Sequence, residues 1–178
     1  MSPLELIEKY YNKQENLKNI LLTHSRQVAQ RSLLIASKHP ELKADTDFLE
    51  NAAMLHDIGI VFTNAPGIDC HGTEPYIRHG IIGAELLRKE GMAQYADVAE
   101  RHTGTGLTLE QILKQDLPLP HQDFSPRTIE EQIICYADKF YSKSHLEREL
   151  TVSQVRLRLI GYGQASVERF DIWTQLFE

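Results

Sequence analysis

The stretch Asn51-Ala52-Ala53-Met54-Leu55-His56-Asp57-Ile58-Gly59 decides how this chain is read. Ala52 and Ala53 stand four and three residues before His56, so the histidine shares their apolar helix face. Asp57 follows near the C-terminal end of the same helix. A carboxylate there lies against the negative end of the helix dipole and calls for a compensating positive charge. A metal ion supplies one.

Working outward, the pattern repeats. Ile20, Leu21 and Val28 surround His24, and Ile82, Gly83 and Leu86 follow His79 on its own side. Val98 and Ala99 precede His102 by four and three residues, and Ile134, Cys135 and Tyr141 flank Asp138. Taken singly, each is a core histidine or a paired aspartate, satisfied by a local partner. Together, five helices each turn a metal-capable side chain toward the core. A shared divalent cation would offset the cost of burying them all.

The helices follow from apolar periodicity and end signals. The first starts at Pro3 with Ser2 as its cap. A second covers about 15–39 and stops at Pro40. A third opens near Asp45 or Asp47 and closes at Gly59. A long loop, Ile60 to Arg78, carries Pro66, Gly67, Gly72 and Pro75; a loop of that length is functional or disordered. A fourth helix spans about 79–90 with Gly91 as C-cap, and a fifth 93–102. Thr103-Gly104-Thr105-Gly106 is a tight loop. Thr108 with Gln111, and Thr128 with Glu131, have capping-box spacing, the second opening a helix to about Lys143. Two more helices cover 151–162 and 164–177. No stretch alternates convincingly as a strand, so the expected class is all-α. The arrangement is one domain over 1–178, with a metal-binding core at about 20–143 and C-terminal helices at about 151–177.

Composition sets the outer limits. The chain has 178 residues, 42% apolar and 25% charged, with a formal net charge of −6. This suits one globular domain with a sizeable core and argues against a broad basic face for nucleic acid. A local basic patch around an anionic substrate is compatible with it. No apolar run approaches the roughly 20 residues of a membrane span. The start lacks the basic-then-apolar order of a secretory signal. Cys70 and Cys135 form no C-x-x-C pair, which argues against a thiolate zinc site and for a reducing, cytoplasmic location. His39, His121 and His145 fall outside the constellation and read as surface residues. Tyr10-Tyr11 and the Phe170, Trp173, Phe177 stripe read as core or interface, the latter a face for a homodimer.

The run Met54-Leu55-His56-Asp57-Ile58-Gly59 resembles the signature of the HD-domain metal-dependent phosphohydrolase superfamily, in its His-Asp-Ile-Gly form. The ordered set His24, His56-Asp57, His79, His102 and Asp138 matches the wider pattern of that superfamily across residues 24–139. The segments around His79, Arg101-His102-Thr103-Gly104 and Tyr136-Ala137-Asp138-Lys139 resemble an uncharacterised HDIG-containing group and the bacterial diadenosine tetraphosphate hydrolases of HD type. One departure stands out: Ile60 occupies the position after His-Asp-x-Gly where many relatives carry Lys or Arg. That removes a phosphate-binding cation, and the loop holding Cys70-His71-Gly72 is a candidate replacement or lid. His71 then reads as a ligand, a substrate contact or a plain loop residue.

The resemblance implies a helical bundle with two divalent ions about 3.5–4 Å apart. Asp57 would bridge them, His24, His56 and Asp138 would complete one site, and His79 and His102 the other. Such ligands suit Fe, Mn, Zn, Co or Ni. The implied reaction is cleavage of a phosphate ester or anhydride of a nucleotide or dinucleoside polyphosphate by a metal-bound hydroxide. Lys139 would contact phosphate, with Thr103 and Gly104 offering backbone N–H groups. Arg78 and Arg101 read as surface charges or cleft-rim cations. The competing expectations are a di-iron oxygenase of the same superfamily and a non-catalytic metal-bound interaction module.

Overall fold

Ser2 accepts from the Glu5 backbone N–H while the Glu5 carboxylate accepts from the Ser2 N–H, so a complete capping box opens the first helix. The computed structural model describes residues 1–178 and contains nine α-helices. They are α1 (Pro3–Tyr11), α2 (Glu15–Lys38), α3 (Thr46–Leu55), α4 (His79–Lys89), α5 (Ala96–Arg101), α6 (Leu109–Lys114), α7 (Ile129–Asp138), α8 (Val152–Leu159) and α9 (Gln164–Phe177). Five short strands accompany them: β1 (Thr63–Ala65), β2 (Cys70–His71), β3 (Glu74–Pro75), β4 (Tyr141–Ser142) and β5 (His145–Glu149). The fold is helical, as the periodicity predicts.

Two apolar cores meet around α2. One joins Val28, Ala52, Ile134 and Phe140 with Phe170, Trp173 and Phe177 of α9. The other joins Leu6, Tyr11 and Leu21 with Leu55, Ile58, Ala84 and Ala99. Each fully buried large side chain contributes roughly 1.5–3 kcal/mol relative to exposure. His24 stands on α2 between Leu21 of one core and Val28 of the other, so the buried polar centre lies where the cores adjoin. The aromatic stripe of α9 is consumed by the core: Tyr136 stacks on Phe170 with ring centroids 5.1 Å apart. It is not a free face for a second copy.

Four segments differ from the sequence expectation, the first being the third helix, which stops at Leu55 rather than at Gly59 because residues 58–62 tighten into a separate 3-10 turn. Residues 60–78 are an ordered excursion in which β1 pairs antiparallel with β2 and parallel with β3. The helix expected to run to Lys143 stops at Asp138, and the chain returns as a β4–β5 hairpin. Thr128 does cap α7, accepting from the Glu131 N–H, but the Glu131 carboxylate does not close the box. It accepts from Arg101 Nη1 and from the Arg127 N–H instead. Arg101 is therefore an interior tie between α5 and α7, with a side chain only 12% exposed.

Gly59 is required by a tertiary contact. A Cβ there would lie 2.2 Å from the His79 carbonyl oxygen and 2.5 Å from the Gly83 nitrogen. Its absence lets the turn after Asp57 press against the start of α4, which carries His79. Tyr11 braces the same turn from the other side, donating to the Ile58 carbonyl and accepting from the Val61 N–H.

Candidate metal centre

His56, His79 and His102 are held alike. Each donates Nδ1–H to the carbonyl three residues earlier: His56 to Ala53 at 2.6 Å, His79 to Tyr76 at 2.7 Å and His102 to Ala99 at 2.8 Å. A carbonyl can only accept, so Nδ1 carries a proton in each ring and Nε2 is the nitrogen turned to the centre. Tyr76 also stacks flat on the His79 ring, with centroids 4.7 Å apart.

The three Nε2 atoms and that of His24 converge on Asp57, which is 0% exposed. Asp57 Oδ2 lies 3.0 Å from His56 and 3.2 Å from His24. Asp57 Oδ1 lies 3.4 Å from His79 and 3.3 Å from His102. Asp138 Oδ1 completes the first group, 2.9 Å from His24 Nε2 and 3.5 Å from His56 Nε2. Two sets of close donor atoms result, His24-His56-Asp57-Asp138 and Asp57-His79-His102, sharing only Asp57.

These residues fit a metal. Both Asp57 oxygens and His56 Nε2 are buried without a hydrogen bond of good geometry. His79 Nε2 and His102 Nε2 face each other at 3.0 Å. Burial, outweighing the nearby Asp57, lowers the His79 pKa to about 3, and burial lowers that of His102 as well. Neither ring then carries a second proton at neutral pH, and two lone pairs at that distance repel unless a cation lies beside them. Burial opposes ionisation of Asp57 and Asp138, yet Lys143 and His56 at Asp57, and Lys139 and His24 at Asp138, hold both carboxyls well below the ordinary range. Anionic oxygens beside imidazole nitrogens form a donor set for a divalent cation, whose binding would displace the proton from His56 Nε2.

Two lysines fix the carboxylates. Lys139 Nζ donates to Asp138 Oδ2 at 2.6 Å and to the His102 carbonyl at 3.1 Å, linking the two sets. Lys143, at the hairpin turn, places Nζ 2.5 Å from Asp57 Oδ2. Burial opposes that charge, but Asp57 and then Tyr76 and Asp138 raise its pKa above the ordinary lysine value. A cavity of about 400 Å³ opens beside this group, with Tyr76, Asp138, Lys139, Ser142, Lys143 and Arg158 in its wall.

The structure thus gathers His24, His56, Asp57, His79, His102 and Asp138 around one buried centre, with Lys139 at its edge. It does not bring His71 there: that side chain is 64% exposed and bonds Asp69. Thr103 and Gly104 lie outside the cavity wall. Gly104, at φ +61°, turns the chain, and its carbonyl accepts from the Cys135 thiol. Lys143, Tyr76 and Arg158 were missed. Lys143 reaches Asp57 only because the helix ends early, and no local pattern marks that.

A family model described as "HD domain" matches residues 21–142. The uncharacterised protein MJ0778 of Methanocaldococcus jannaschii is 34% identical over 139 residues, covering 77% of this chain and 74% of that one. A tRNA (cytidine(56)-2'-O)-methyltransferase of Thermoplasma volcanium is 31% identical over 153 residues, covering 85% of this chain. This chain spans only 38% of that relative's length. Among solved structures, the HD domain of the L. monocytogenes phosphodiesterase PgpH superposes with a TM-score of 0.59 at 21% identity, covering 97% of this chain and 94% of that one. The same domain in complex with cyclic-di-AMP gives 0.56 at 22%, covering 89% and 80%. At such identities these two speak for the fold alone. The family match over most of the chain, carrying the His-Asp pair and its partners, shows that the chain belongs to the HD domain family.

Proposed function

We propose that this protein is a metal-dependent phosphohydrolase acting on a phosphate ester or anhydride of a nucleotide-like substrate. Family membership supports the general activity. The observation that carries the specific reading is the division of the Asp57 carboxylate between two sets of imidazole nitrogens. His24, His56, Asp57 and Asp138 would hold one divalent ion, and Asp57, His79 and His102 a second. When bound, such ions supply Lewis acidity and make water a nucleophile near neutral pH.

The chain's own residues have definable tasks. The Nδ1–H bonds of His56, His79 and His102 to backbone carbonyls fix each ring and its tautomer. Lys139 holds Asp138 in place, and Tyr76 packs over His79 and limits water there. Lys143 lies in the cavity wall with its ammonium on Asp57 and would hold that carboxylate in place. The PgpH domain solved with cyclic-di-AMP supports a nucleotide-like substrate by analogy of fold. The methyltransferase activity named for the Thermoplasma relative is not carried over, because more than half of that protein lies outside the matched span. Both thiols are free and buried, which fits a cytoplasmic location; no helix is long and apolar enough to cross a membrane.

The test is phosphate release by anaerobically purified protein loaded separately with Fe, Mn, Zn, Co and Ni. The panel holds nucleoside mono-, di- and triphosphates, cyclic nucleotides and dinucleoside polyphosphates, with Asp57→Ala as control. Cleavage absent from the control is expected. Full metal loading with no cleavage of any compound, combined with metal-dependent oxygen uptake by the iron form, would favour the oxygenase.

A further inference from the structure

The cavity beside the centre is more positive than the molecule that contains it. The chain's formal net charge is −6. The cavity wall carries Lys139, Lys143 and Arg158 against the single carboxylate of Asp138. Two of these cations are committed, Lys139 to Asp138 and Lys143 to Asp57. Arg158, on α8, is exposed and forms no ion pair or side-chain hydrogen bond. Its neighbour Arg156 illustrates the contrast, bonding Asp171 through Nε at 2.9 and 3.1 Å. An uncommitted guanidinium in the wall of a cavity whose other cations are paired is free to take an anion.

The size of the space narrows that substrate. A volume of about 400 Å³ is near the lower end of the range for small-molecule sites, roughly 300–1,000 Å³. It is room enough for one nucleoside with its phosphates. Besides its charged groups the wall offers the aliphatic Ala65 and Ile68, the ring of Tyr141 and the hydroxyls of Ser142 and Ser144. The two hydroxyls lie 3.0 Å apart at the hairpin turn. That is a surface for an uncharged organic body flanked by positive charge.

We propose that the substrate is an organic phosphate of mononucleotide size bearing a second, separate anionic group, and that Arg158 is the specificity-determining residue that binds this group. The proposal rests on the phosphohydrolase reading only for the fate of the first phosphate. The binding of the second is independent of turnover.

The experiment is calorimetric titration of the manganese-loaded full chain with three probes: adenosine 3′,5′-bisphosphate, AMP and diadenosine tetraphosphate. Wild type, Arg158→Gln and Arg158→Lys are compared, and phosphate release is measured in parallel. Wild type is expected to bind the bisphosphate more tightly than AMP. Arg158→Gln should narrow that ratio about tenfold, the scale of one charge-assisted contact. Arg158→Lys should recover part of it. A ratio unchanged in Arg158→Gln, tighter binding of the dinucleotide than of the bisphosphate, or no binding of any probe would each overturn the proposal. An Arg158-dependent ratio without phosphate release would uphold the subsite and count against the hydrolase. Release with an Arg158-independent ratio would do the reverse.

Discussion

Replacing Lys143 with Met removes the ammonium that touches Asp57 and keeps an unbranched apolar side chain in the space of the lysine stem. The two side chains are 13% and 0% exposed, and Lys143 Nζ lies 2.5 Å from Asp57 Oδ2. Breaking a buried pair by removing one partner costs about 3–5 kcal/mol, because the other charge is left uncompensated. Here His56 reduces the loss. Burial alone would depress its pKa, but Asp57 and Asp138 outweigh burial and raise it to about 9, so in metal-free protein it carries charge beside Asp57 at neutral pH. The expected cost in metal-free protein is therefore at the low end, about 3 kcal/mol. For a chain of this size that lowers Tm by roughly 6–12 °C. With saturating Mn²⁺, divalent charge beside Asp57 takes over the compensation, and the cost falls to about 1 kcal/mol, the scale of one hydrogen bond.

Thermodynamic linkage turns the difference into a second observable. If the variant loses about 2 kcal/mol less when metal is bound, it binds that metal about 30-fold more tightly than wild type. The Lys143 ammonium has a raised pKa, so its contribution is fully present below the unfolded value near about 10.4 and is lost only as pH rises through the folded one. The deficit of the metal-free variant should accordingly stay flat from pH 6 to 8. Urea unfolding in EDTA and in Mn²⁺, with calorimetric metal titration, measures all three quantities. Equal destabilisation in both conditions would refute the argument, since Lys143 would then be a packing residue rather than the counter-charge of Asp57. So would unchanged stability in EDTA.

The other expectations concern the same centre. Asp57→Ala should retain no tightly bound divalent metal by mass spectrometry, and wild-type metal content in that variant would end the bridging role. The double variant His79→Ala, His102→Ala should lose one of two metals and keep the ion held by His24, His56, Asp57 and Asp138; unchanged stoichiometry would mean that the second set binds none. Gly59→Ala should cost about 2–3 kcal/mol in urea unfolding, because its Cβ meets backbone at 2.2 Å. It should also weaken metal binding by displacing His79, and a fully stable Gly59→Ala protein with wild-type affinity would show that the contact yields without effect.

What the sequence disclosed was whatever a helix face can encode. His24, His56, His79, His102 and Asp138 each stand three or four residues from apolar neighbours, and that spacing alone directs them inward. The Ser2 cap and the Thr108-Gln111 box were equally local, and both form as expected. What it hid depends on partners distant in the chain. Each partner of β1 is only two residues long, too short for alternation to show. Glu131 stands three residues after Thr128 and imitates a capping box, but Arg101 of another helix claims its carboxylate.

Lys143 and Gly59 show why the boundary lies there. On a helix continued past Asp138, Lys143 would point about 140° away from the aspartate, a solvated charge by any pattern rule. The chain instead turns after Asp138: the Phe140 ring is buried, and the Leu150 N–H bonds the Phe140 carbonyl and closes the hairpin. That reversal, which no spacing announces, carries Lys143 back onto Asp57. Gly59 reads locally as the stop of a helix. Its constraint is the approach of α4, whose first residue supplies an imidazole to the second donor set. Gly59, in the turn that follows α3, thus sets how closely α4 can bring His79 to Asp57. Metal affinity should therefore respond to Gly59 although it offers no ligand atom.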